Sequence, residues 1–386
     1  MTYMTETLFQ EAVEARRWLH AHPETGFDLE NTAAFVRKKL DACGIAHTDR
    51  YGRCSVCGFL GDVSGARPIL ALRADMDALP IQEESGVPYA SLNPGKMHAC
   101  GHDSHTAVLL TAAKILKAHE KELPCGVKLI FQPSEECQES GAHMMTQNGV
   151  MDDVDTVLGI HCENALEAGR VGIRDGAYMA ACIPIDIRFT GLSAHAAMPS
   201  TGIDAIAAAV NAYTRMKDMV RGEAAGKPCI WSVGYFHGGT AHNIIAGTCD
   251  LKITFRYYDQ AFADRVMHKA EEICAHTAAE TGGSARMDWH VSAHAVINDS
   301  AVVSRFRRVI REYTDLPLTD LPQRMSSEDF SWYLTRKPGA LFRFGTRNEA
   351  LGCASLAHHA DFRIDESGMK AAVEALVNYA LHGVKD

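Results

Sequence analysis

No stretch of the sequence strings together the roughly 18 apolar residues that a membrane-spanning helix requires. The opening residues, MTYMTETLFQEAVEARRW, carry acidic groups and lack the apolar run of a secretory signal. No cluster of Lys and Arg offers a track for phosphates, and 48 acidic against 38 basic residues leave a formal charge of −10. That balance argues against nucleic acid and anionic membrane as partners and leaves small molecules. Internal repeats and low-complexity stretches are missing too. The 12 cysteines are scattered without framework spacing, most of them inside apolar runs, so reduced thiols and a cytoplasmic location are expected. Cys54 and Cys57 form a CxxC in YGRCSVCGFLG, but no second pair follows and the segment reads as a strand.

What is present is an ordinary globular composition, 47% hydrophobic and 22% charged over 386 residues, a length that favours two domains. Up to about residue 180, helix and strand patterns alternate, the signature of a sheet covered by helices. A helix over about 6 to 20 precedes a second at NTAAFVRKKLDACG, with Asn31 as its cap and Gly44 at its end. Strand-like runs follow at CSVCGFLG, PILALRADMD, GVKLIFQP and DTVLGIH, with a buried helix at SHTAVLLTAAKILKAHEKEL. The next segment reads as strand 183–190, helix 202–221, strands 229–237 and 247–257, helix 259–281 and strand 284–292. That βαββαβ order is a ferredoxin-like unit. The expected division is therefore 1–181 and 294–386 as one α/β domain with 182–293 inserted into it.

The segment MHACGHDSHTAV packs three histidines and a cysteine into residues 97–108. Alone it fits a metal site, a nucleophile with its base, or a crowded helix start. Cys100 and His102, two apart in extended chain, can face one ion, with Gly101 leaving room and the helix starting near Asp103 or Ser104. The strand VKLIFQP runs into Glu135 and Glu136, DTVLGI ends at His161, and His358 and His359 lie beyond ALFRFG. Cys100, His102, Glu136, His161 and His358 thus each stand at or beyond the end of an apolar element, where open α/β sheets gather ligands. Five donors exceed one tetrahedral site and suit two neighbouring ions bridged by a carboxylate and water. The second glutamate faces another way and is available as a base. Asp75 and Asp77 share a face at a further strand end.

The runs RADMDALP, MHACGHDSHTAVLL, FQPSEE, GIHCE, GLSAHAAMP, GGTAHNIIAG and SSEDFSWYL resemble, in order and over nearly the whole chain, the N-acyl-amino-acid amidohydrolases. This metallopeptidase family includes hippurate hydrolase and the plant auxin-conjugate amidohydrolases. The resemblance implies a dinuclear-metal peptidase domain with an inserted dimerisation domain, and two divalent ions, zinc or manganese, with cobalt or nickel also suited to the donors. It implies Cys100, His102, Glu136, His161 and His358 as ligands, His359 being a rival for the last, and Glu135 as general base. His98 and His105 match no family ligand and are read as packing or outer groups. Asp77 is implied to orient a ligand, and Asp103 is a similar candidate that also serves as a helix N-cap.

From the inserted domain the resemblance implies that His195 reaches the active site of a partner copy, in a homodimer or a tetramer, to polarise the substrate carbonyl. Asn243 would help hold the substrate and Arg256 would meet its carboxylate. His242 stands where an apolar or aromatic residue is expected. The implied reaction cleaves the amide of an N-acyl amino acid to a carboxylic acid and a free amino acid, with water activated between the ions and Glu135 moving the proton. Dipeptides or carbamoyl amino acids are alternative substrates on the same scaffold. A hydrolase with Cys100 as nucleophile and a binding module without turnover are the readings of a different class.

Overall fold

The computed structural model describes residues 2–384. Two compact units divide the chain: residues up to 178, 296–323 and from 329 onward form one, and 179–295 with 324–328 form the other.

The first unit is built on a mixed eight-stranded sheet. Its strands are β1 (Ala46–Thr48), β2 (Val56–Leu60), β3 (Ile69–Asp75), β4 (Gly126–Gln132), β5 (Thr156–Glu167), β6 (Val171–Ile173), Leu318–Asp320 and Gly339–Arg347. They lie in the order β1, β2, β4, β3, β5, 339–347, β6, 318–320. The central four, β4, β3, β5 and 339–347, are parallel, and β3 and β4 are buried along their whole length. That explains their nearly unbroken apolar sequence, since a strand covered on both faces has no solvent side to alternate with. The register sets Asp75 opposite Gln132 and Arg73 opposite Gly159, so the carboxyl ends of three parallel strands arrive at one edge.

Helices α1 (Glu6–Ala21), α2 (Glu30–Ala42) and α3 (His102–Ala118) pack on this unit with the C-terminal helix Gly368–His382. α3 is buried nearly all round, between α1, the C-terminal helix and β3. Each of its interior leucines and valines contributes about 1.5–3 kcal/mol. Asn31 is not the cap of α2. Glu24 reaches in from the preceding loop, accepting the amide and side-chain N–H of Asn31 on one oxygen and the amide and hydroxyl of Thr32 on the other, at 2.8–3.3 Å. A charged acceptor on two free amides outcompetes the weaker Asn cap. Asp103 is likewise not an N-cap: α3 begins at His102 after Gly101, whose φ of 81° is left-handed. That turn, and not an extended segment, brings Cys100 and His102 together.

The second unit carries a four-stranded antiparallel sheet in the order Ile230–Gly238, Thr248–Tyr257, Ala181–Thr190, Ser284–Trp289. Helices Ala205–Ala224 and Gln260–Thr281 cover one face, and the alternating burial along 181–190 marks the sides. Chain order is βαββαβ. Segment 324–328 joins this unit because Tyr258 donates to the carbonyl of Arg324 and Arg256 to Ser327, while the amide of Ala180 donates to Ser326. Among the described residues no helix is long and apolar enough to cross a membrane.

Candidate metal centre

Cys100, His102 and His161 bring their donor atoms within 4.8 Å of one another, and so do Cys100, Glu136 and His358. Cys100 belongs to both triads. A third group joins His102, Glu135 and Glu136. The five sequence-predicted ligands and Glu135 therefore converge. The Cys100 sulfur lies 3.5 Å from Nε2 of His161, and Nε2 of His358 lies 3.1 Å from Oε1 of Glu136.

Local backbone explains the convergence. Ser134 takes a φ of 53° where β4 ends, its hydroxyl donating to the carbonyl of Glu139 at 2.7 Å, and this turn aims Glu135 and Glu136 back over the strand ends. His358 takes a φ of 70°, with its amide donating to the carbonyl of Ala99 at 2.8 Å. Left-handed backbone on residues with a Cβ costs on the order of 1–3 kcal/mol and gathers at functional sites. His359 shares the exposed segment but joins none of these triads.

Asp77 holds the glutamate pair. One of its oxygens accepts the amide of Glu135 at 2.9 Å, the other that of Glu136 at 3.0 Å, and Oδ1 stands 3.4 Å from Nδ1 of His102. Asp75 accepts from Arg73 at 2.7 Å and from Nδ1 of His105 at 2.5 Å. Arg73 in turn donates to Gln132 and Asp329. Sequence reading missed this arginine, although a charged residue inside the apolar run PILALRADMD was its signal. Asp103 forms an ion pair with Arg16 at 2.7 Å and accepts from His20 at 2.8 Å, while the other ring nitrogen of His20 meets Glu83 at 3.0 Å. None of these three partners was foreseen.

The electrostatics suit cations. His102 is fully buried, yet neither ring nitrogen has a hydrogen-bond partner, and the same holds for Oε1 of Glu136. Unpartnered buried polar atoms are costly, so these atoms fit metal ligation. Burial pulls the His102 imidazole down, but the charges of Asp75 and Asp77 outweigh it and raise it to about 10. Burial and the negative Glu136 and Glu135 push the Cys100 thiol well above its ordinary value. A thiolate at Cys100 therefore needs a cation beside it. His161, pushed well down by burial and by Arg343, is a neutral imidazole and a poor counter-ion for a nucleophilic cysteine. Among the described residues all cysteines are free, and burial drives the Cys57 thiol of the CxxC up to about 12, which argues against redox use.

In the second unit, His195 and Asn243 form one tip: His195 pairs with Ile244, and the amide of Ala196 donates to the carbonyl of Asn243 at 3.0 Å. Both side chains are exposed, as is His242. Arg256 does not join them. It stands eight residues along its strand from Thr248, roughly 26 Å at strand rise, and donates to Ser327 at 2.7 Å.

Comparison with known proteins agrees with this geometry. Residues 71–382 match the model of peptidase family M20/M25/M40. The chain is 34% identical over 366 residues to the N-acetyl-L-cysteine deacetylase of Bacillus subtilis, covering 94% of this chain and 86% of that one. It is 40% identical over 291 residues to the N-acyl-L-amino acid amidohydrolase of Geobacillus stearothermophilus, covering 75% and 78%. A solved Bacillus subtilis structure, described as a dinuclear metal binding peptidase from the M20 family, superposes with a TM-score of 0.85 at 28% identity, covering 98% of both chains. The chain belongs to peptidase family M20/M25/M40 and is a hydrolase of amide bonds.

Proposed function

We propose that this chain hydrolyses N-acyl amino acids to a carboxylic acid and a free amino acid, with two divalent ions as cofactors. The observation that carries the reading is the convergence of Cys100, His102, Glu136, His161 and His358 beside Glu135, with the buried His102 ring left unpartnered. Cys100, His102, Glu136, His161 and His358 would hold the two ions, Cys100 being common to both triads. The sulfur, nitrogen and oxygen donors suit zinc, with manganese, cobalt and nickel as further candidates. When bound, such ions acidify water and polarise a carbonyl.

The chain's own groups supply the rest. Glu135, its amide fixed by Asp77, takes the proton from the attacking water and returns it to the departing amine. Asp77 faces Nδ1 of His102 and leaves that ring's Nε2 as the atom that would hold a metal. His195 of a second copy donates to the carbonyl oxygen as it gains charge, and Asn243 beside it holds the substrate. The exposed apolar Leu192, Met198 and Ile244 around His195 support burial of this tip in a homodimer. Arg256 keeps N–H groups beyond the one given to Ser327 for a substrate carboxylate. The 12 free cysteines support a reducing, cytoplasmic setting.

The test is hydrolysis of N-acetyl and N-benzoyl amino acids before and after chelation. The reading expects activity to vanish with the metal and return on adding a divalent ion. Full turnover by chelated, metal-free protein would overturn it.

A further inference from the structure

His105 lies one turn after His102 on the same face of α3, and its ring packs at a tilt against the imidazoles of two candidate ligands, with centroids 5.2 Å from His102 and 4.6 Å from His161. It falls within 4.8 Å donor clusters of its own, with Asp75 and His102 and with His161 and Cys162. By residue type it could pass for a ligand. Its nitrogens are both committed, however. Nδ1 is 2.5 Å from Oδ1 of Asp75, and Nε2 is 2.8 Å from the amide nitrogen of Cys162. An amide can only donate, so Nε2 must be the acceptor and the proton must sit on Nδ1, facing the carboxylate.

The amide that His105 receives belongs to the residue directly after His161. Nδ1 of His161 donates 2.7 Å back to the carbonyl of this same Cys162, which also accepts from Arg343 at 3.2 Å. The backbone of Cys162 is thus gripped at its N–H by His105 and at its carbonyl by His161 and Arg343. That grip decides which nitrogen of His161 keeps its lone pair: Nδ1 carries the proton, and Nε2 faces Cys100. The other end of the chain of contacts is anchored in the sheet, where Arg73 holds Asp75 and is itself held by Asp329.

We infer that His105 is a positioning residue, neither ligand nor filler, which fixes the tautomer and aim of His161 by accepting the Cys162 amide at Nε2. This rests on the metal-dependent reading above and adds to it a residue that never touches metal or substrate. Outer partners of this kind typically carry about 10–100-fold in metal affinity.

Two substitutions separate the two nitrogens. His105→Gln places an amide oxygen near the Nε2 position and keeps an acceptor for Cys162; His105→Asn places its amide near Nδ1, serving Asp75 and leaving Cys162 without an acceptor. Metal-free protein of each kind would be titrated with cobalt(II), reading the thiolate and ligand-field absorption bands, with folding followed by circular dichroism and thermal melts. The inference expects His105→Gln to bind cobalt with near wild-type affinity and spectrum, and His105→Asn to fold but bind about 10–100-fold more weakly with a shifted spectrum. It is overturned if the two variants behave alike, or if either fails to fold, which would make His105 a packing group. Wild-type protein that takes up no cobalt would instead sink the metal reading itself.

Discussion

The carboxylate of Asp77 stands 3.4 Å from Nδ1 of His102 while its two oxygens accept the amides of Glu135 and Glu136. One buried side chain thereby sets the direction of an imidazole and the backbone of both glutamates. Asp77→Asn keeps the size but gives up one acceptor, setting an N–H against an amide N–H. The expected result is metal affinity weaker by about 10–100-fold, with a comparable fall in kcat at limiting metal. Isothermal titration of metal-free protein beside steady-state kinetics checks it; unchanged affinity would remove Asp77 from its orienting role.

Glu135 and Glu136 should separate cleanly. Glu135→Gln removes a proton acceptor without removing a proposed ligand, so kcat should drop by about 10²–10⁴-fold while bound metal per subunit stays at the wild-type level. Glu136→Gln should lose metal. Elemental analysis of both dialysed variants, set beside their kcat values, decides the division of labour; metal loss in Glu135→Gln would reverse the assignment.

The convergence of the candidate ligands was legible in part because parallel strands deliver the ends of their apolar runs to one edge. The places of His161 and of the Glu135–Glu136 pair follow from that rule, whereas the choice of Glu136 as the ligand comes from the family resemblance. The place of His358 does not follow from it: its approach to Glu136 depends on a left-handed residue with a Cβ, and no periodicity signals that. The cap of α2 was misread for a related reason, since Glu24 acts from seven residues away through a loop whose path is set by packing. Arg73, His105 and the Arg16–His20–Asp103 group were invisible as partners because, the local Arg73–Asp75 and Arg16–His20 pairs aside, their contacts span 30 to 256 residues of sequence. The βαββαβ insertion was legible, helped by period-two burial in its strands, whereas the short segment 324–328 carries no pattern that would send it there.

The buried Arg16, His20 and Asp103 group gives stability a pH dependence of known sign. Burial and the Arg16 charge lower the His20 imidazole, but hydrogen bonds to Asp103 and Glu83 outweigh them and leave it above its ordinary value. A group raised in the folded state stabilises fully below its unfolded pKa of about 6.5 and loses that contribution as pH climbs through the folded value. His20→Gln should therefore cost more stability at pH 6 than at pH 9. Asp103 is held well below the carboxylate range by Arg16 and His20 against the opposing effect of burial, so its contribution persists above about pH 4 and fades only as acid reaches the depressed value. Urea melts of wild type and His20→Gln at the two pH values check the first sign; an equal or larger penalty at pH 9 contradicts it.

Gly101 links the Cys100–His102 turn to the β5 strand. Its φ is 81°, and a Cβ placed there would meet the sulfur of Cys162 at 2.5 Å, a buried atom with nowhere to go. Gly86 has a similar φ of 70° with nothing within 4 Å of the same imagined atom. The pair separates conformational strain from collision. Gly86→Ala should cost about 1–2 kcal/mol, the left-handed penalty alone. Gly101→Ala adds an overpacking term of about 1–3 kcal/mol, and because relief must push either Cys162 or the turn, it should also weaken metal binding at Cys100, His102 and His161. Denaturant melts with metal titrations of both variants test this: a Gly101→Ala protein as stable as Gly86→Ala and equal to wild type in metal affinity would mean that the turn yields without moving the ligands.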